Sequence, residues 1–278
     1  MAATLHRLPR LLSICADDYG LSSGISEGII ELAKVRRITA VSCITNALHW
    51  HHAGARLQQC PDTVSVGLHF NLTEGKPLSR ELAAVWPQLP TLPVLILRAH
   101  LGLIPVKAVA CEFVAQWAAF TGAAGRQPMF MDGHQHVHHL PGVRTAVFRS
   151  LEAMQVHPAI RNTARVVGPG SGLKRWLIRH TGGRRLEAEL QHRAVPHNSC
   201  LLGTYDFTGT DYRSRMQGWL GALPSPGGLM YCHPGRDQMD DGNDPVAGAR
   251  IRELAYLSSA AFEQDLAAAN VTLVRGWQ

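Results

Sequence analysis

The chain has 278 residues, 46% of them hydrophobic and 17% charged, with a formal net charge of +6. That balance excludes a mainly disordered chain and a coiled coil, and the length suits one large core rather than a disulfide-stapled miniprotein. No apolar run reaches the roughly 20 residues of a membrane helix; the nearest, Leu92 to Val106, is broken by Arg98, His100 and two prolines.

Leu11 to Ala16 reads as a buried strand that ends in the acidic pair Asp17-Asp18. Ser23 to Lys34 has helical spacing, with Ile25, Ile29, Ile30 and Ala33 on one side and Ser23 as the expected N-cap. Thr39 to Thr45 is a second strand, Trp50 to Gln59 a short helix and Val64 to Phe70 a third strand. The stretch from 71 to about 104 breaks this rhythm with Trp86, Pro87, Pro90 and Pro93, and is expected to be a long loop or small lid inserted in a single domain spanning 1–278. Lys107 to Thr121 is a helix stopped by Gly122, Met129 to Met131 a fourth strand, and Gly142 to Met154 a helix. Strands are expected near Ala159 to Asn162 and Val195 to Leu202, with a basic helical segment at Lys174 to Arg185 between them. Tyr212 to Leu223 is helical, Gly228 to Cys232 a strand ending at His233, Ala249 to Leu257 and Ala260 to Ala269 helices, and Val271 to Val274 a last strand.

Strands alternating with helices imply βα units and a parallel sheet. Seven or eight units in this length suit an α/β fold of the TIM-like (β/α) barrel type, seven-stranded or irregular, with an open doubly wound sheet as the alternative. No G-x-G-x-x-G follows a strand, and neither a G-x-S-x-G elbow nor a P-loop is present. The basic residues are scattered rather than clustered, so nucleic acid is not an expected partner. Leu8 to Ala16 is followed at once by two aspartates, which does not read as a secretory signal. None of the six cysteines forms a C-x-x-C pair, and Cys15, Cys43 and Cys232 lie in apolar runs as reduced core residues. A cytoplasmic protein is expected.

The 15 histidines stand against 5 tyrosines, and seven fall in two short clusters, which raises a metal site. In a βα barrel all strand C-termini meet at one face, where sites form. Asp17-Asp18, His69, the run Asp132 to His138 and His233 each close a strand, so they converge. His134, His136 and His138 alternate, and in an extended segment would share one face. One of them is enough to join Asp18 and His69 as a third ligand, leaving an open position for water, as in catalytic metal sites. His49, His51 and His52, at a helix start, read as a surface cluster. A divalent metal held this way would lower the pKa of bound water and polarise a carbonyl. Asp17 would then take the proton, and His233, before Pro234-Gly235, would protonate the leaving group. Mixed Asp/His ligation suits one Zn²⁺, with Mg²⁺ or Mn²⁺ as alternatives.

Ala16-Asp17-Asp18-Tyr19-Gly20-Leu21, Gly67-Leu68-His69-Phe70-Asn71-Leu72-Thr73, Asp132-Gly133-His134-Gln135-His136-Val137-His138 and Cys232-His233-Pro234 occur in that order. Together they resemble the YdjC-type carbohydrate deacetylases, the family of chitooligosaccharide and hopanoid-linked deacetylases. The resemblance runs from about residue 10 to 275. It implies a barrel related to polysaccharide deacetylases and metal-dependent N-deacetylation of a small acetylated amino sugar or its conjugate. Carried over by position, it gives Asp18, His69 and His134 as ligands, Asp17 as base, His233 as acid, and Arg161 as a basic position of the fifth strand; Arg161, His136 and His138 are the expected substrate-binding residues. Tyr19 replaces the commoner Phe, and neither Thr73 to Ile104 nor Gly168 to Arg193 shows family landmarks. A metal-dependent phosphoesterase and a non-catalytic sugar- or metal-binding barrel stay open as alternatives, and homo-oligomerisation is left open. Aromatic residues are 6%, which favours a small substrate over a polymer.

Overall fold

The computed structural model describes residues 8–236 and 244–277. β1 (Arg10–Tyr19) leads to α1 (Ser23–Lys34), and β2 (Ala40–Cys43) to α2 (Trp50–Arg56). β3 (Ser65–Phe70) is followed by α3 (Arg80–Val85), α4 (Leu92–His100) and α5 (Val106–Ala124). β4 (Phe130–Gly133) runs into a 3₁₀ segment (His134–His139) and then α6 (Val143–Met154). After β5 (Ala159–Ile160) come α7 (Gly172–Ile178) and α8 (Arg184–His192), joined by a π-helical turn (Arg179–Gly183). β6 (Leu201–Leu202), α9 (Tyr212–Ala222), β7 (Gly227–Cys232), α10 (Ala247–Ser258), α11 (Ala260–Ala268) and β8 (Val271–Leu273) follow.

All pairings are parallel, in the order β5-β4-β3-β2-β1-β7-β6, and β8 pairs with β1. The two ends of this curled sheet meet through the segment after β5. Val166 bridges Leu201 in parallel fashion, Leu201 N donates to Arg165 O (2.8 Å), and Val167 N donates to Leu201 O (2.9 Å). The result is an irregular seven-strand barrel with helices outside, the expected TIM-like class. Every residue of β2, β3, β4 and β7 is buried. That is why these strands read as near-continuous apolar runs: helices cover one face and the barrel interior the other. No helix among the described residues is long and apolar enough to cross a membrane.

Several elements differ from expectation for local reasons. Ser22 rather than Ser23 caps α1, its side chain accepting from Ile25 N. α5 runs through Gly122 and stops at Gly125, which takes the left-handed conformation (φ 66°) that ends a helix. The proline-rich stretch carries α3 and α4, with Pro93 in the first turn of α4, where a missing N–H costs nothing. The expected strand at 195–202 shrinks to two residues. Asn198 there substitutes for a sheet ladder: its Oδ1 accepts from Asn162 N (2.8 Å) and its Nδ2 donates to Asn162 O (2.9 Å) and Cys200 O (3.0 Å).

Candidate active site

The strand ends of β1, β3, β4 and β7 open into a cavity of about 630 Å³, whose lining includes Asp17, Asp18, His69, His134, His136 and His233. β1 delivers two adjacent carboxylates because its register with β2 shifts between Ala16 and Tyr19. Asp18 sits at φ 70°, a left-handed bulge position that turns its side chain toward the cavity beside Asp17. This replaces the ordinary strand alternation, which would send neighbours to opposite faces.

Asp18, His69 and His134 each offer a ligand atom within 4.8 Å of the others, and all three residues are buried. Asp18 Oδ1 lies 3.0 Å from His134 Nδ1 and 3.4 Å from His69 Nε2. The other carboxylate oxygen, Oδ2, accepts from Arg250 on α10 at 2.8 Å. His69 is set from behind: its Nδ1 is 2.5 Å from Asp132 Oδ1, which also accepts from Ser42 Oγ at 2.6 Å. Glu74 reaches His134 Nε2 with Oε1 at 3.0 Å. The turn that carries Glu74 is shaped by Asn71, whose Oδ1 accepts from Thr73 N and Glu74 N (2.9 and 3.1 Å).

The charge balance of this cluster calls for a cation. Burial pushes His69 and His134 down, yet Asp132 and Asp17 raise His69 to about 10, and Asp18 and Glu74 raise His134 to about 9. Burial raises Asp18, but Arg250 and His134 hold it well below the usual carboxylate range. The surrounding carboxylates thus favour positive charge at these two imidazoles, which a bound divalent ion would also supply in exchange for protons. One carboxylate and two imidazoles, buried and facing a cavity, fit a zinc-like ion in donor type and number. The outer partners fit as well, because a ligating imidazole is normally held by a carboxylate on its far nitrogen, as Asp132 holds His69.

Asp17 stands beside the triad in a different setting. Arg161 grips both its oxygens, NH1 to Oδ2 at 2.6 Å and NH2 to Oδ1 at 2.7 Å. Arg161 also lies 2.5 Å from Asp132 Oδ2, an ion-pair contact without hydrogen-bond alignment. Burial raises the pKa of Asp17, and Arg161 offsets this in part. Arg161 is fully shielded and is not part of the cavity wall, so it sits behind Asp17 rather than in front of a ligand. Asp17, Asp132 and Cys15 form a second close cluster, filled from the Arg161 side.

The histidine run does not lie extended. Gln135 and His136 adopt left-handed φ (52° and 62°), which coils the segment tightly. The three rings therefore part. His134 joins the triad, and His136 faces the cavity edge-on to Tyr231 (centroids 5.3 Å apart). His138 turns away from the cavity, with Nε2 2.9 Å from Arg161 O. His233 faces the cavity between Phe207 and Tyr231, both edge-on. Burial lowers its pKa well below the usual range, and its Nδ1 has no hydrogen-bond partner among the described residues. Its backbone N–H donates to Glu253 Oε2 at 2.6 Å, and Tyr205 OH binds the other oxygen of Glu253.

Sequence reasoning passed over Ser42, Glu74, Arg250 and Glu253. Only Glu74 had a signal, an acid in a Gly-Lys-Pro turn directly after the His69 motif. Arg250 and Glu253 lie on a helix face with no local mark, and they meet the site through packing alone.

The profile of the YdjC-like protein family matches residues 11–268. The chain belongs to this family. Among relatives, a chitooligosaccharide deacetylase of Klebsiella pneumoniae (strain 342) is 28% identical over 269 residues, covering 94% of this chain and 95% of that one. A chitooligosaccharide deacetylase of Escherichia fergusonii is 34% identical over 136 residues, 49% of this chain and 53% of its own. In three dimensions, an Enterococcus faecalis V583 protein with a proposed role in cellobiose-phosphate cleavage superposes with a TM-score of 0.74 at 20% identity. That match covers 96% of this YdjC-like chain and 97% of the other. At that identity the likeness is one of fold.

Proposed function

We propose that the chain is a metal-dependent carbohydrate N-deacetylase that removes an acetyl group from a small N-acetylated amino sugar or its conjugate. The observation that carries this reading is the buried triad of Asp18, His69 and His134 beside an Arg-gripped aspartate in one cavity. The full-length similarity to a chitooligosaccharide deacetylase supports the substrate class.

Asp18, His69 and His134 would hold one divalent ion, zinc by preference. When bound, such an ion acidifies water and polarises an acyl oxygen. Asp17 is held in place by Arg161 and accepts the proton of the attacking water at a carboxylate oxygen. Its raised pKa makes it a better base than an exposed aspartate. His233 faces the cavity between Phe207 and Tyr231 and, in its protonated form, would deliver a proton to the departing nitrogen and be recharged from solvent. Asp132 and Ser42 keep the far nitrogen of His69 engaged, so Nε2 faces the cavity. Arg161 and His138 act as positioning residues behind Asp17, and His136 borders the space a sugar would fill. The insertion at 71–104 contributes Glu74, Leu92 and Ile96 to the cavity and acts as its lid.

The phosphoesterase reading would commonly need a second metal. The second acidic cluster already has the Arg161 guanidinium as its cation, which argues against it. The test is acetate release from N-acetylglucosamine, its short oligomers and lipid-linked forms, with Asp17→Asn alongside. Release that disappears in Asp17→Asn supports the reading. Phosphate ester cleavage without acetate release rejects it.

A further inference from the structure

Exposed large hydrophobic side chains are not spread evenly over the described surface. Seven of fifteen fall in two short segments: Val94, Leu97, Leu101 and Leu103 on and after α4, and Leu173, Trp176 and Leu177 on α7. Leu97, Leu173 and Trp176 are 59%, 68% and 56% exposed. Both segments border the active-site cavity, because Leu92 and Ile96 of α4 and Lys174, Leu177 and Ile178 of α7 line it. The apolar surface therefore rims the mouth.

The charge around these helices is mostly positive, with Glu187 the acid that shares a surface depression with Arg175, Trp176, Arg179 and Arg184. Residues 82–111 and 153–186 contain no Asp or Glu. Arg161 in the second stretch is buried and paired with Asp17 and Asp132, and Lys174 faces the cavity and donates to Tyr205 O; Arg98, Lys107, Arg165, Arg175, Arg179, Arg184 and Arg185 enter no ion pair among the described residues. Leucines and a tryptophan interleaved with unpaired Lys and Arg are the composition of helices that lie in a lipid interface. A second copy of the chain would bring like charges together on such a face, which disfavours self-association.

We propose that α4 and α7 dock the cavity mouth onto an anionic lipid surface, with the leucines and Trp176 entering the headgroup region and the basic residues meeting lipid phosphates. This does not rest on the deacetylase reading. The test is co-sedimentation of the full chain with large unilamellar vesicles of phosphatidylcholine alone or mixed equally with phosphatidylglycerol. Two variants run beside it, the apolar triple Leu97→Gln/Leu101→Gln/Trp176→Gln and the charge double Arg175→Gln/Arg179→Gln. Far-UV circular dichroism checks their fold. The wild type is expected to bind the anionic vesicles at least about tenfold more tightly than the neutral ones. Each variant is expected to lose about tenfold or more, and added salt to weaken binding. No binding to anionic vesicles overturns the proposal, and so does binding that both variants keep. A wild-type dimer that the triple variant dissolves, with no vesicle binding, assigns the face to self-association instead.

Discussion

Asp132→Asn isolates what the residues behind the Asp18, His69 and His134 triad contribute. Asp132 is fully buried and touches His69 Nδ1 at 2.5 Å and Ser42 Oγ at 2.6 Å. Asparagine keeps the size and one oxygen but removes the negative charge that fixes the His69 proton on Nδ1. It also lets the amide turn an N–H toward the ring, which would place the wrong nitrogen in the cavity. Losing such an outer partner weakens metal affinity by about 10–100-fold, or about 1.4–2.7 kcal/mol. The variant also leaves Arg161 with Asp17 as its remaining carboxylate partner, so stability falls as well. The assay is competition for Zn²⁺ between the metal-stripped protein and a chromogenic chelator, wild type against Asp132→Asn, with Ser42→Ala as the milder comparison. The expected order of affinity is wild type, then Ser42→Ala, then Asp132→Asn. Equal affinity for wild type and Asp132→Asn would refute the claim that Asp132 sets His69 for a metal.

Other consequences follow from the same contacts. Arg161→Met leaves Asp17 and Asp132 buried without their cation, and is expected to cost about 3–5 kcal/mol in urea unfolding; a loss below about 1 kcal/mol would contradict the role given to Arg161. Burial pushes Glu253 up to about 7. A carboxyl raised on folding binds more protons folded than unfolded, so its contribution is full below the unfolded value near 4.5 and falls away as pH rises to about 7. The integrated effect is about 3 kcal/mol. Glu253→Gln should flatten the stability profile between these pH values, and an unchanged slope in denaturant melts counts against it. Gly67→Ala would place a Cβ 2.4 Å from Phe130 O and 2.5 Å from its ring. The β3–β4 contact must then open, at about 1–3 kcal/mol, visible as a lowered Tm; an unshifted melt would show that these strands have slack.

The barrel was legible because its strands are short, apolar and separated by amphipathic helices, and because chemistry-bearing residues close four of them. Asp18, His69 and His134 come together since parallel strands bring their C-terminal ends to one face. Three features resisted reading. Asp and His enter the left-handed region more often than most residues, but nothing in the sequence singles out Asp18, Gln135 and His136 for it, and their φ decides that Asp17 and Asp18 both face the cavity and that the histidines part. Arg250 reaches Asp18 across 232 residues of sequence, a contact set by how α10 packs and not by spacing. At 195–202 the apolar pattern implied a strand, and the Asn198 side chain replaces most of its ladder.

In the proposed reaction one divalent ion at Asp18, His69 and His134 serves acetate release. The most direct test is a titration of Zn²⁺ into the metal-stripped protein with acetate release followed at each step, wild type beside Asp18→Asn. Activity is expected to rise linearly and level off at about one ion per chain, with no recovery in Asp18→Asn. Full activity in the stripped protein, or recovery in Asp18→Asn equal to wild type, would contradict it.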